Sequence, residues 1–166
     1  MRITQIDRIL EIEKSKRIVA IKALSAAEEY LRDHFPRYPV MPGVLMLEAM
    51  FQASMWLLLY SEDFAKPMVV LREARNVKYA DFVEPGKLLT VTAEIIKQDE
   101  NTTSLKTSGR ISGGEKDAVT ARLVLERFQL KDRYPSMQVQ EAFLKQELRK
   151  DFRLLRPETD PAPADN

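Results

Sequence analysis

The residues best suited to chemistry lie in one short stretch of the chain, between His34 and Gln52. His34 is the only histidine, and histidine is the one ordinary side chain that titrates near neutral pH, so it is the candidate general base. Glu48 is the only charged residue from Gly43 to Tyr60, where an unpaired carboxylate would be costly to bury. It must therefore be protonated, hydrogen-bonded or both, and a protonated carboxyl group is what a general acid requires.

Two further groups complete the candidate site. Gln52 lies one helical turn beyond Glu48, where its amide is placed to hydrogen-bond that carboxyl group. Gly43 begins the apolar segment, and the free N–H groups at a helix start polarise a carbonyl or stabilise an enolate. A base, an acid and an oxyanion donor favour proton abstraction beside a carbonyl with loss of a β-hydroxyl, which is dehydration of a 3-hydroxyacyl group. The structural alternatives are a packed histidine and a carboxylate satisfied at a subunit contact.

Two segments must position these groups. The segment 34–43 contains prolines at 36, 39 and 42, which exclude a helix or a central strand and predict an ordered loop that holds His34 in place. The segment 43–60 is apolar around its whole circumference, which predicts a helix surrounded by the rest of the fold. A membrane span is disfavoured because Glu48 and Gln52 interrupt the stretch and no basic cluster flanks it.

The remaining chain supplies strands to surround that helix. Branched residues and period-two alternation predict strands over 6–13, 17–24, 68–80, 88–98, 102–111 and 117–130. The pattern predicts an α+β fold with five or six antiparallel strands around one long helix. Residues 134–156 are predicted to form an amphipathic helical extension, with Leu144, Leu148 and Phe152 at four-residue steps. Residues 157–166 are rich in proline and acid, which predicts a disordered tail.

Composition excludes several classes of protein. With 45% hydrophobic and 31% charged residues over 166 positions, the chain is neither disordered nor fibrous. The net charge of +1 gives no electrostatic reason to expect nucleic acid as a partner. The absence of cysteine excludes disulfides, zinc ribbons and thiol catalysis, and a single histidine excludes most transition-metal sites. The N-terminus lacks the apolar run of a secretory signal, so a cytoplasmic location is expected.

The loop and the start of the helix resemble the motif of a known enzyme family. The motif in this chain reads His34-Phe35-Pro36-x-x-Pro39-Val40-Met41-Pro42-Gly43-Val44-Leu45-x-x-Glu48-Ala49-x-x-Gln52. It is similar to the active-site motif of the β-hydroxyacyl-acyl carrier protein dehydratases of type II fatty acid synthesis, which have the hot-dog fold. The similarity extends from about Asp7 to Leu130 and implies a hot-dog domain over residues 1–133. Glu48 stands where the related dehydratase-isomerase branch has aspartate, which implies simple dehydration.

The resemblance also implies a role for each residue of the site. His34 removes the α-proton, and Glu48 protonates the departing hydroxyl group. The Gly43 amide binds the thioester carbonyl, the Val40 carbonyl orients the imidazole, and Gln52 positions the carboxylate. No metal or redox cofactor is implied, and the substrate arrives on the phosphopantetheine arm of acyl carrier protein. The implied assembly is a homodimer with shared active sites, in which His34 and Glu48 come from different subunits, or a trimer of such dimers.

Some features of the chain depart from the family pattern. Asp33 and Arg37 stand where the family has glycine, and a positive φ at either position would strain the side chain. About 35 residues follow the last predicted strand, and they are candidates to cap the acyl tunnel, add an oligomer contact or bind a partner. Two other functions stay open at this point. One is a hot-dog acyl thioesterase, and the other is a non-catalytic acyl-binding module in which Asp33 and Arg37 have disabled the site.

Overall fold

Six strands and one long helix account for most of the computed structural model, which describes residues 4–156. The predicted tail at 157–166 lies outside the described residues. The helices are α1 (Gly43–Ser61), α2 (Leu130–Arg133) and α3 (Gln138–Leu155), with 3₁₀ turns at Glu29–Arg32 and Pro135–Met137. The strands are β1 (Arg8–Glu13), β2 (Arg17–Ala23), β3 (Met68–Tyr79), β4 (Leu88–Gln98), β5 (Thr102–Ile111) and β6 (Asp117–Phe128).

The strands form one antiparallel sheet in the order β1-β2-β4-β5-β6-β3. On β4, β5 and β6, period-two alternation directs one face of the strand inward; on β6 the buried hydrophobic residues at alternate positions are Val119, Ala121, Leu123 and Leu125. β3 follows α1 along the chain but lies at the far edge beside β6, so the spatial order of the strands departs from their order in the sequence. The predicted antiparallel sheet is confirmed, and it has six strands.

The sheet curls around α1, which is the hot-dog arrangement. α1 is long and apolar enough to cross a membrane, yet here it is the core helix. Its fully buried apolar side chains are Met46, Ala49, Met50, Ala53, Leu57, Leu58 and Leu59. The wrapping leaves one stripe of the helix open, because Val44 is 67% exposed and Glu48, Phe51 and Met55 are only partly buried. These four positions share one helical face, so the acid of the candidate site lies on the open side of α1.

The predicted C-terminal helix is present as α3, and it packs against the end of α1. Leu148 and Phe152 of α3 belong to the hydrophobic core. The Phe152 ring stacks on Tyr60, with 5.0 Å between the ring centroids. Arg149 donates hydrogen bonds to the carboxylate of Asp63 at 2.8 and 3.2 Å, and these bonds hold the pKa of Asp63 below its usual value.

A buried acid ties α2 to α3. Glu141 is 4% exposed and accepts a hydrogen bond from the backbone N–H of Lys131 at 3.0 Å. Its other carboxylate oxygen pairs with the Lys145 ammonium at 2.8 Å. Burial raises the pKa of Glu141, but the hydrogen bonds and charge supplied by Lys145 and the Lys131 backbone outweigh it, so the net pKa is lowered.

We predict that Glu141→Gln lowers the free energy of unfolding by about 1 kcal/mol at neutral pH, because the charged hydrogen-bond acceptor is lost. The folded-state pKa lies below the unfolded value of about 4.3, so this stabilisation is present above that value and disappears as the pH falls through the folded-state pKa. Urea unfolding measured between neutral and acidic pH should show wild type and variant converging. Glu147→Gln, which removes an exposed pair with Lys150 on the same helix, is the control and should change stability little at any pH. A constant difference between wild type and Glu141→Gln across the pH range would contradict the prediction.

Candidate active site

The loop from His34 to Pro42 holds the imidazole by hydrogen bonds within the loop itself. His34 Nδ1 lies 3.0 Å from the carbonyl oxygen of Val40. A carbonyl only accepts, so Nδ1 carries the proton of the neutral ring and Nε2 keeps its lone pair. The Val40 N–H donates back to the His34 carbonyl at 3.1 Å, and the His34 ring stacks on Phe35 with 4.3 Å between centroids. The His34–Phe35 peptide bond is cis.

Residues that follow β3 support this loop from behind. The Met41 N–H donates to the Val83 carbonyl at 2.9 Å, and the Tyr38 hydroxyl donates to Glu84 at 3.0 Å. Val40 and Met41 are completely or almost completely buried, at 0% and 1% exposure. The predicted ordered loop is therefore fixed by both its own bonds and its neighbours, and Nε2 of His34 is held in one direction.

Gly43 lies where the loop enters α1. The Leu45 and Met46 N–H groups both donate to the Pro42 carbonyl, whereas within residues 4–156 the Gly43 N–H has no hydrogen-bond acceptor. A Cβ at this position would lie only 3.0 Å from the ring of Tyr79. A larger residue here would require the Tyr79 ring to shift by a few tenths of an ångström, whereas the Gly43 backbone is not left-handed. The arrangement leaves an N–H donor at the positive end of α1.

Glu48 is held by a chain of two hydrogen bonds. Gln52 Nε2 donates to the Glu48 carboxylate at 2.8 Å, which is the contact that their spacing predicted. The Gln52 carbonyl oxygen in turn accepts the backbone N–H of Gln5 at 2.8 Å. This second bond orients the amide so that its NH₂ group faces Glu48. Gln5 is absent from the sequence-based prediction, because a backbone N–H that acts across 47 positions leaves no signal in residue type.

Glu48 opens into a cavity of about 410 Å³ between α1 and α3. His34 is not among the residues that line this cavity. Within one chain the structure therefore brings Glu48 together with Gln52, and His34 together with Val40, as two separately supported halves. Gly43 lies at the boundary between the loop of the first half and the helix of the second.

The two positions that depart from the family glycines carry no backbone strain. Asp33 has φ −105°, in the right-handed region, and Arg37 is not among the residues with positive φ. The left-handed non-glycine residues in the described part of the chain are Ser15, Asp63, Phe64 and Asn76. The backbone strain considered for Asp33 and Arg37 is thus absent, because neither position adopts the left-handed region.

Over residues 4–156 no cluster of three or more acids and histidines is arranged to hold a metal ion.

Comparison with known proteins adds independent observations. A family model described as a FabA-like domain matches residues 1–122. The chain is 36% identical over 108 residues to a 3-hydroxyacyl-(acyl-carrier-protein) dehydratase FabZ of Ruminiclostridium cellulolyticum, covering 65% of this chain and 76% of that protein. It is 38% identical over 117 residues to the protein of the same name from Pediococcus pentosaceus, covering 70% and 77%. Among solved structures, the dehydratase heterocomplex ApeI:P from Xenorhabdus doucetiae shares the fold, with a TM-score of 0.64 and 18% identity over 81% of this chain and 90% of that one.

The hydrogen bond to Val40 predicts the tautomer of His34. In its neutral form the ring should carry its proton on Nδ1, the less common tautomer of free histidine, because Val40 offers only an acceptor. Nitrogen-15 NMR of histidine-labelled protein measures this directly, and the single histidine gives one set of resonances. The same chain unfolded in denaturant is the control and should show the usual preference for Nε2–H. A protonated Nε2 in the neutral, folded protein would contradict the geometry.

Proposed function

The chain belongs to the FabA-like domain family, and on that premise we propose that it dehydrates (3R)-hydroxyacyl-acyl carrier protein to trans-2-enoyl-acyl carrier protein in fatty acid or related acyl-chain biosynthesis. The observation that carries the proposal is the pair of hydrogen bonds that orients the two groups of the site. His34 offers the lone pair of Nε2, and Glu48 is a carboxyl group held by an amide donor on a helix that has no other charge. A base and an acid on the two halves of the site are what elimination of water requires.

In this mechanism Nε2 of His34 takes the proton from the α-carbon of the thioester. The Gly43 N–H donates to the thioester oxygen, which gathers negative charge as the C–H bond breaks. Protonated Glu48 gives its proton to the β-hydroxyl group, so the C–O bond breaks with water as the leaving group and a carbon–carbon double bond forms. The enzyme is left with protonated His34 and ionised Glu48, and one proton transfer from the first to the second restores both groups.

We also propose that His34 and Glu48 meet across a homodimer, and that dimers can assemble further as a trimer of dimers. Large apolar side chains surround the start of α1 while remaining well exposed, and they are Phe35 at 53%, Tyr38 at 52%, Val44 at 67% and Tyr79 at 48%. An exposed apolar area of this kind is typical of a surface that another subunit covers. The open stripe of α1, with Glu48 on it, continues from this surface.

Acyl carrier protein presents the substrate on its phosphopantetheine arm, and the reaction as written uses no metal and no redox cofactor. We expect the enzyme to act in the cytoplasm. A thioesterase would release free thiol from an acyl thioester, whereas the dehydratase hydrates an enoyl thioester reversibly, so an assay that follows both products distinguishes them.

We predict that His34→Ala and Glu48→Gln each lower kcat by about 10²- to 10⁴-fold, the usual contribution of a general base or acid. The rate of hydration of an enoyl thioester measures the effect, and it is monitored through the loss of the enoyl absorbance. Asp33→Gly and Arg37→Gly restore the family residues on the same loop and serve as controls. They should leave kcat within a few-fold of wild type, because neither position is strained. Normal rates in His34→Ala or Glu48→Gln would remove the proposed roles.

The divided site gives a second prediction. When His34→Ala and Glu48→Gln subunits are mixed equally and allowed to exchange, half of the dimers become mixed, and each mixed dimer contains one intact site out of two. Activity should therefore recover to about a quarter of the wild-type value if the subunits pair at random. Native mass spectrometry verifies the exchange. No recovery in a mixture proven to contain mixed dimers would contradict a site shared between subunits.

A further inference from the structure

The cavity that holds Glu48 has one wall built from the C-terminal helix. Its volume of about 410 Å³ is in the range of small-molecule sites. One side is formed by α1, which contributes Phe51, Met55 and Trp56 beside Glu48 and Gln52. The opposite side is formed by α3, through Leu148, Asp151, Leu154 and Leu155. The family model ends at residue 122, so the α3 wall lies outside the part of the chain that defines the family.

The α3 wall is held firmly in position. Leu148 and Phe152 are 6% and 8% exposed, so this side of the helix is anchored in the core. Phe152 contacts the rings of Trp56 and Tyr60 on α1, at centroid distances of 6.0 and 5.0 Å. Arg149 bonds to both the carboxylate and the backbone carbonyl of Asp63, directly after α1. Apolar packing and a charged clamp therefore fix the separation of α1 and α3.

The lining changes from polar to apolar along α1. Polar groups are confined to Thr4, Glu48, Gln52 and Asp151, and the other six lining residues are hydrophobic. From Glu48 to Trp56 the helix rises by about 12 Å. A substrate with its β-hydroxyl group at Glu48 would lay the rest of its acyl chain along this apolar length. The walls on either side would then be the side chains of α1 and α3.

We propose that α3 forms the wall of the acyl-chain site and limits the length of the 3-hydroxyacyl chain that the enzyme accepts, with Leu155 as a specificity-determining residue. The proposal rests on the proposed function for the identity of the substrate. Leu155 is chosen because it lines the cavity, is partly buried and packs against the core, so a change in its size changes the room available to the chain. Leu154 also lines the cavity but is 78% exposed, which places it at the rim.

Trp56 makes occupancy of the cavity measurable without turnover. It is the only tryptophan, it lines the cavity, and it is 5% exposed. The probe is a saturated acyl-pantetheine thioester with bromine on its terminal carbon, which lacks the hydroxyl group and cannot be dehydrated. Bromine quenches a nearby indole, so we expect saturable loss of Trp56 fluorescence, and none with the matched unbrominated thioester. Absence of quenching at any chain length, at concentrations well above KM for the turnover substrates, would overturn the proposal.

Variants of the wall test the length limit. Leu155→Phe should lower kcat/KM for the longest accepted chain by at least about tenfold relative to the shortest, as a methylene-sized change in an apolar pocket does. Leu155→Ala should shift the profile towards longer chains. Leu154→Phe, at the exposed rim, is a second filling variant that avoids disturbing the core. Val139→Ala, on the same helix but 79% exposed and away from the cavity, is the matched control and should leave the profile unchanged.

The outcomes separate this inference from the proposed function. If wild type dehydrates 3-hydroxyacyl substrates but both Leu155 variants and Leu154→Phe keep its chain-length profile, the α3 wall has no part in specificity. If wild type fails to dehydrate any substrate in the ladder, the proposed function is wrong. If Leu155→Phe weakens the quenching of Trp56 at least about tenfold and Val139→Ala does not, this result would still support an acyl site walled by α3.

Discussion

Glu48 lies on the open stripe of a core helix, and the candidate site depends on the hydrogen bond that Gln52 donates to its carboxyl group. Gln52 donates to it from one turn further along α1. The amide can point its NH₂ group at the carboxylate because the backbone of Gln5 binds its carbonyl oxygen. The segment before β1 is therefore part of the support of the acid. The side-chain oxygen of Gln52 is also left with a hydrogen-bond partner, as a buried polar group requires.

The base depends on a different kind of support. His34 is oriented by a carbonyl of its own loop, and that loop is stiffened by prolines and backed by Val83 and Glu84. His34 and Glu48 are each oriented by hydrogen bonds that do not involve the other. The proposed mechanism needs both halves around one substrate, and the proposed dimer is what would bring them together.

The C-terminal helix extends the core at the end of α1. Phe152 joins the aromatic side chains at the end of α1, and the bonds between Arg149 and Asp63 close the same junction. The residues of the proposed mechanism thus lie within the part of the chain matched by the family model, while the proposed wall of the acyl-chain site lies beyond it. Such a division lets substrate range change while the reaction stays the same.

Local chemistry was readable from the sequence alone: the proline loop, the apolar helix, the spacing of Glu48 and Gln52, and the alternation that marks the strands all depend on neighbours along the chain. The family and its reaction followed from the same motif. Only the tertiary structure placed β3 at the far edge of the sheet, brought the Gln5 amide to Gln52, and set α3 across the cavity from Glu48. It also placed the Tyr79 ring against Gly43. These contacts join residues far apart in the chain. Every residue except proline has a backbone N–H, and a gap between two helices depends on how they pack, so neither feature can be recognised from residue types in the sequence.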